Sequence, residues 1–422
     1  MYAHSSSEFN ALADIQNNLQ PHLKGDILAK ADMCVYCGMC LPVCPTYQIS
    51  QQEAESPRGR LALISAYYNG ELPLDEILTA HLDHCLLCRS CENICPATVP
   101  FANIMDNTRA EMQVHTAEKP GLKRALLKLM QHKKRIKFLV KMMNGFSLGK
   151  LVSLFPFART GPLRRYLHIA EAMKTPPRWK SFYPGAGQNR DTVGLFLGCV
   201  QEYIDTDSIT NAIKVLNKLG VDVVVPEQQQ CCGAMHLHAG ETHIANSLYE
   251  QNKTAFAQHK ITTVISLSSA CTGTLMEHAR GEQDEALSVT DICSYLEDLH
   301  WFESRDLATI DTTVLLHFPC TQKNVLKNTD AVYTMLNRIP GLCIREFKAM
   351  SCCGAAGTYM LDNPQWSDRL KASATSQIED DIEILATSNI GCHLQFMDID
   401  TGRKRPKIMH PVNIVARALR CE

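Results

Sequence analysis

Several features are missing from this 422-residue chain, and each absence removes a class of protein. No uninterrupted apolar run of about 20 residues occurs, so the chain is not expected to span a membrane by itself. It opens MYAHSSSEFN, without an apolar stretch behind basic residues, so no secretory signal is expected there. The net charge is only −2, with 45% hydrophobic and 20% charged residues, which fits neither a disordered chain nor a generally basic nucleic-acid binder. No G-x-G-x-x-G phosphate loop is present, so a fingerprint for an FAD or NAD of its own is missing and substrate chemistry is expected on a partner. What the chain has in excess is cysteine, with 19 residues. In a reducing cytoplasm, where the absence of a secretory signal places it, clustered cysteines bind metal more often than they form disulfides.

Eight of these cysteines lie between positions 34 and 95. Cys34, Cys37, Cys40 and Cys44 followed by Pro45 spell C-x2-C-x2-C-x3-C-P, and Cys85, Cys88, Cys91, Cys95 and Pro96 spell it again. Three cysteines at intervals of three wrap a tight loop around one face of a cubane, while the fourth, beyond the proline turn, reaches the other cluster. One 4Fe–4S cluster is therefore expected on Cys34, Cys37, Cys40 and Cys95, and a second on Cys85, Cys88, Cys91 and Cys44. A structural zinc site uses four ligands in widely spaced C-x-x-C pairs, which two full eight-ligand copies do not match. The residues between the runs read as helices. Ser56 caps one that starts at Pro57 and ends at Gly70, and a second from about Asp75 places Ile77, Leu78, His81, Leu82 and Cys85 on one side. A further helix is expected from Phe101 to His115. Arg58 and Arg60 stand near these runs as countercharges or as surface and capping residues.

The second cysteine group repeats. Adding 121 to Cys199, Cys231, Cys232 and Cys271 gives Cys320, Cys352, Cys353 and Cys392, so each half reads C-x31-C-C-G-x37-C. In each half, β-rich runs alternate with helical ones, which implies parallel α/β units with ligands at the carboxyl ends of strands. Cys199 and Cys320 are expected to end first strands, and Cys271 and Cys392 third strands. The paired cysteines with Gly233 or Gly354 fall in the loop before a helix. Eight thiols at one fixed offset point to cofactor binding or redox chemistry, against the plainer reading of buried apolar packing. Cys293, Cys343 and Cys421 have no counterpart and are expected to be inert. His236, His238, His243 and His317 also lack counterparts and read as local hydrogen bonders.

Between the two groups, residues 119–180 hold 16 Lys or Arg against one acid, Glu171. Within this stretch Leu122, Leu126, Leu129, Ile136, Val140 and Met143 recur at helical intervals, which reads as an amphipathic basic helix. It is either a connector with a solvated charged face or a docking surface for an anionic membrane or an acidic subunit. Nucleic acid is disfavoured, because no recognition motif or interleaved aromatics accompany the charge. The expected fold class is multi-domain α and α/β. An α-helical two-cluster ferredoxin-type domain occupies 1–118, a basic helical linker 119–190, and two cysteine-rich α/β repeats 191–310 and 311–422.

The two cysteine runs, the PTYQ and SPRGR segments, HLDHCLLCRSCENICP and the duplicated CCG text ending in SNIGC together make the chain resemble the iron–sulfur subunits of bacterial glycolate oxidase. The resemblance implies a separate FAD subunit that oxidises glycolate to glyoxylate, and electrons passed by this chain towards the respiratory chain and its quinone pool. A cytoplasmic location, at the inner face of the cell membrane through 119–180, goes with it. Iron–sulfur subunits of lactate and glycerol-3-phosphate dehydrogenases, and the thiol and disulfide chemistry of heterodisulfide reductases, share CCG domains and stand as alternatives. Heterodisulfide reductase repeats that hold noncubane clusters continue to a fifth cysteine, whereas here Thr274 and Gln395 stand at those positions. Four cysteines per half leave three arrangements open: an ordinary cluster in each, one site shared by both, or a structural duplicate.

Overall fold

A computed structural model describes residues 23–116, 122–145, 163–187, 191–281, 287–302, 306–347, 352–399 and 405–421. The chain divides between Thr116 and Ala117 into two units.

The described part of the first unit contains helices and no strand. Residues 23–31 form the first, followed by Pro45–Ser50, Pro57–Tyr68, Glu76–Asp83, Ser90–Ile94 and Phe101–Thr116. Local chemistry sets their starts. The Ser56 hydroxyl accepts from the Gly59 N–H with Pro57 at the first helical position, and the Asp75 carboxylate accepts from the Leu78 N–H. Ile27, Leu61, Ile64, Leu78, Leu82, Ile104 and Met105 form the core. Ile77 corrects the expected face: it is 69% exposed, and Leu78 and Leu82, four residues apart, carry the burial instead.

Among its described residues the second unit holds two sheets. In the first, β1 (Phe182–Tyr183), β2 (Asp191–Phe196), β3 (Val221–Val224), β4 (Thr263–Ser266) and β5 (Ser288–Asp291) run in the order β1-β3-β2-β4-β5. All pairs are parallel except β1 with β3. In the second, β6 (Thr312–His317), β7 (Leu342–Glu346), β8 (Ile384–Thr387) and β9 (Lys407–Met409) run β7-β6-β8-β9, all parallel. Each half thus gains a fourth parallel strand beyond the three read from sequence. One helical run of the second half is bounded by its proline. It spans Pro364–Thr375, started by Pro364, and Ile378 and Ile382 are buried beyond its end.

The halves embrace reciprocally. Helix Thr206–Lys218 of the first packs on Pro411–Ala418 of the second, and Thr329–Asn337 of the second packs on Ile292–Asp298 of the first. Likewise Ser269–Gly281 meets Gln322–Leu326, while Gln201–Ile204 meets Ile390–Met397. One hydrophobic cluster, including Val193, Ile213, Val314 and Ile414, runs through both halves.

His410 is a polar tie in this contact. Its Nε2–H donates to the Leu267 carbonyl at 2.8 Å, and Nδ1 accepts from the Val412 N–H at 3.1 Å, capping helix Pro411–Ala418. Burial pushes its pKa down to about 4. Below pH 6.5 an unfolded histidine binds a proton that the folded one refuses, so this contribution is complete above pH 6.5 and is lost as pH falls towards 4. About 3 kcal/mol is at stake. Buried His393, also shifted down by burial, acts in the same sense. Thermal melts across this range are expected to fall for the native chain, and less steeply for His410→Asn, which keeps a capping group.

The basic segment corrects the single-helix expectation. Helix Leu122–Met130 ends and a second, Lys133–Gly145, begins. The physical reason is phase. Met130 and Ile136 are both buried in one cluster, yet six residues apart on a continuous helix they would lie about 120° apart. A break at 131–132 brings both inward. Residues 146–162 of the segment lie outside the described residues.

Candidate iron–sulfur sites

In the first unit, the loop of Cys85, Cys88 and Cys91 and the distant Cys44 line one cavity, together with Pro45, Thr46, Arg60, Leu87 and Phe101. Cys44 stands in an extended conformation at the start of helix Pro45–Ser50, with Pro45 at the first helical position. Burial pushes the Cys88 thiol up to about 12 and the Cys91 thiol well up, with neighbouring sulfurs adding to both. Four sulfurs on one cavity, with no carboxylate or imidazole lining it, are the soft donor set that suits iron–sulfur. Of the other expected ligand set, Cys37 is exposed, Cys34 and Cys95 pack against the core, and Cys40 lies close enough to Cys34 and Cys44 to feel their charge.

Behind the cavity lies a polar network that the sequence reading missed. Arg60 is fully buried. Its Nη2 meets Glu55 Oε2 at 2.6 Å, Nη1 donates to the Glu55 carbonyl at 2.6 Å and to Thr46 Oγ1 at 3.0 Å, and Nε donates to the His81 carbonyl at 2.8 Å. Glu55 Oε1 accepts from Nδ1 of His81 at 2.7 Å and of His84 at 2.8 Å. Burial alone would raise the Glu55 pKa, but the histidine hydrogen bonds and the Arg60 charge outweigh it and hold the carboxyl below its ordinary range. Thr46 Oγ1 lies 3.3 Å from Cys44 Sγ, so the network reaches a candidate ligand. Arg58 instead pairs with Glu53 at the surface and donates to the Tyr36 carbonyl within the first cysteine loop.

Each cysteine-rich half gathers its own thiols. In the first, Cys199 Sγ lies 3.1 Å from Cys231 Sγ, and Cys232 bonds both Cys231 and Cys271. All four are buried in an apolar cluster with Phe196, Tyr203 and Tyr249. Hydrogen bonds from Cys199 and Cys232, and the Gly233 N–H, pull the Cys231 pKa well down. In the second half Cys353 Sγ is 2.9 Å from Cys392 Sγ, the Cys353 pKa is lowered by that bond, and Cys320 and Cys352 lie within electrostatic reach of Cys392. Cys199 and Cys320 follow β2 and β6. Cys271 and Cys392 sit one step beyond the expected strand ends, in the first turns of helices Ser269–Gly281 and Ile390–Met397. Gly233 (φ +88°) and Gly354 (φ +75°) are required by close approach: a Cβ on the second would stand 2.7 Å from the Ser367 carbonyl oxygen.

Thr274 and Gln395 are engaged elsewhere, with the Ala270 carbonyl and the Ser367 hydroxyl. His236 bonds Glu241 at 2.6 Å and His317 bonds Thr387 at 3.0 Å, as local partners. Also absent from the sequence reading was Asn252, which accepts from the Gln230 N–H and donates to the Cys231 carbonyl, fixing the CCG loop from 21 residues away.

Comparison with known families agrees with this division. Residues 30–99 match the 4Fe-4S dicluster domain, and residues 193–276 and 314–397 each match the cysteine-rich CCG domain. These matches and the gathered thiols define an iron–sulfur electron-transfer protein of ferredoxin type with a duplicated cysteine-rich domain. The chain is 30% identical over 418 residues to the probable glycolate oxidase iron-sulfur subunit of Bacillus subtilis (strain 168), covering 91% of each. It is 28% identical over 415 residues to the glycolate oxidase iron-sulfur subunit of Escherichia coli (strain K12), covering 95% of this chain and 96% of that one. Lactate utilization protein A of Oceanobacillus iheyensis is 26% identical over 238 residues, 53% of this chain and 96% of its own. The chain belongs to the family of glycolate oxidase iron–sulfur subunits.

Proposed function

We propose that this chain takes electrons from a partner FAD subunit that oxidises glycolate to glyoxylate and hands them on towards the respiratory chain, working at the cytoplasmic face of the membrane. Cys34, Cys37, Cys40 and Cys95 would hold one 4Fe–4S cluster and Cys85, Cys88, Cys91 and Cys44 the other. Such clusters supply one-electron chemistry when bound. The observation that carries the reading is the cavity in the first unit, onto which the fourth cysteine of one run and the first three of the other converge. This chain's own part is to supply thiolates and exclude water around them. The quartet Cys199, Cys231, Cys232 and Cys271, and the set Cys320, Cys352, Cys353 and Cys392, would hold further iron–sulfur groups.

Anaerobically purified chain is expected to show iron–sulfur absorbance and no glycolate turnover. Adding the flavin subunit and glycolate is expected to bleach that absorbance. Turnover by the lone chain would refute the division of labour. Iron and acid-labile sulfide counts decide the loading: about eight irons for the first unit alone, about twelve with one further site, about sixteen with both.

A further inference from the structure

We propose that the solvent side of helix Lys133–Gly145 is a docking face for an anionic lipid bilayer. The helix has two apolar sides. Ile136 and Val140 are buried in the cluster that surrounds the first thiol quartet. On the opposite side Phe138 is 63% exposed, with Leu139 and Met142 also exposed. Arg135, Phe138, Leu139 and Met142 follow the i, i+3, i+4, i+7 spacing of a single stripe, and Lys134, Lys137 and Lys141 flank it. Leu129, Lys134, Arg135, Phe138 and Leu139 line a shallow surface groove there.

The charges of the basic segment divide into two sets. Lys133 is spent on buried Glu202 at 2.8 Å, Lys123 on Asp362 at 3.1 Å, and Arg165 on Asp368 at 2.5 Å and the Met360 carbonyl at 2.7 Å, so these cations fasten the segment to both halves. Among the described residues no ion pair reaches Lys134, Arg135, Lys137 or Lys141, and no acid occurs in residues 122–145. Those four cations face solvent beside the exposed apolar stripe.

Lipid fits this face better than protein does. Protein interfaces are depleted in lysine, whereas three of the four free cations here are lysines. Lysines able to reach outwards to phosphate beside Phe, Leu and Met that enter the acyl boundary are the composition of a helix lying in a membrane surface. Thirteen residues are too few to cross a bilayer, so the contact is peripheral. The inference deepens the reading of electron delivery at a membrane and rests on it for its purpose, but its test is independent of glycolate chemistry.

The intact, cluster-loaded chain would be floated with phosphatidylcholine vesicles that contain or lack phosphatidylglycerol. It is expected to float only with phosphatidylglycerol and to be released by salt. The triple variant Lys134→Glu, Arg135→Glu, Lys137→Glu is expected to bind on the order of a hundredfold more weakly, from about fivefold per cation at an anionic surface. Phe138→Asp is expected to lose about tenfold or more, through the apolar area no longer buried. All four positions are exposed, so iron content and melting temperature should stay unchanged. Phe138→Trp, less the native background, should shift its emission to the blue on these vesicles. Native chain that stays at the bottom, or floats equally without phosphatidylglycerol, would overturn the proposal. So would variants that float like the native chain, or that lose the flavin subunit in a salt-sensitive way while keeping vesicle binding, which would place an acidic protein on this face.

Discussion

Cys44→Ser is expected to remove about four irons, and to remove them from the site of Cys85, Cys88 and Cys91, leaving the site of its own neighbours Cys34, Cys37 and Cys40 loaded. Sequence proximity argues the reverse, so the outcome discriminates. Cys44 is buried and lines the cavity of Cys85, Cys88 and Cys91. Electron paramagnetic resonance of the reduced protein should change from a spectrum of two interacting centres to that of one isolated centre. Cys40→Ser should affect the other centre. Selective loss of the first site in Cys44→Ser would exchange the two ligand sets.

The second large effect is expected at Arg60. Its guanidinium and the Glu55 carboxylate are each 1% exposed and 2.6 Å apart. Arg60→Met would strand a buried carboxylate with two imidazoles and leave Thr46 without its donor, at a cost of about 3–5 kcal/mol. The double variant Arg60→Met, Glu55→Met removes the uncompensated charge and should recover most of that loss. Thermal melting and iron content of both variants check this. A single variant within about 1 kcal/mol of native, or a double variant no better than the single, would show that the pair does not brace the cavity.

The unequal legibility of these features has physical causes. Ligand runs and the 121-residue offset are local or periodic, and a thiolate site tolerates little change in spacing, so Cys34 to Cys95 and the CCG repeats could be read directly. The Glu55 network could not. Its members meet across 26 and 29 residues through bonds between helices, and each residue alone looks like a surface charge or a cap. The sheets were legible where apolar runs marked them, as in β2 and β6. β5 is the four residues SVTD, held by backbone pairing to β4, and offers no apolar run to notice. The break at 131–132 obeys a tertiary demand, two buried positions out of phase, that helical periodicity alone does not reveal.

The reciprocal packing of the halves has the logic of a two-fold dimer built within one polypeptide: what one half's second helix does to its neighbour, the neighbour's does in return. A true dimer would dissociate on dilution and would have to keep both sites identical. Here the linkage makes the ratio of the two thiol sets one to one at every concentration and lets them differ. The structure shows that difference. The close sulfur contact joins Cys199 to Cys231, the first of its pair, on one side, and Cys353, the second of its pair, to Cys392 on the other. Two unequal thiol sets at a fixed mutual position are not interchangeable, as the sites of a symmetric pair would be.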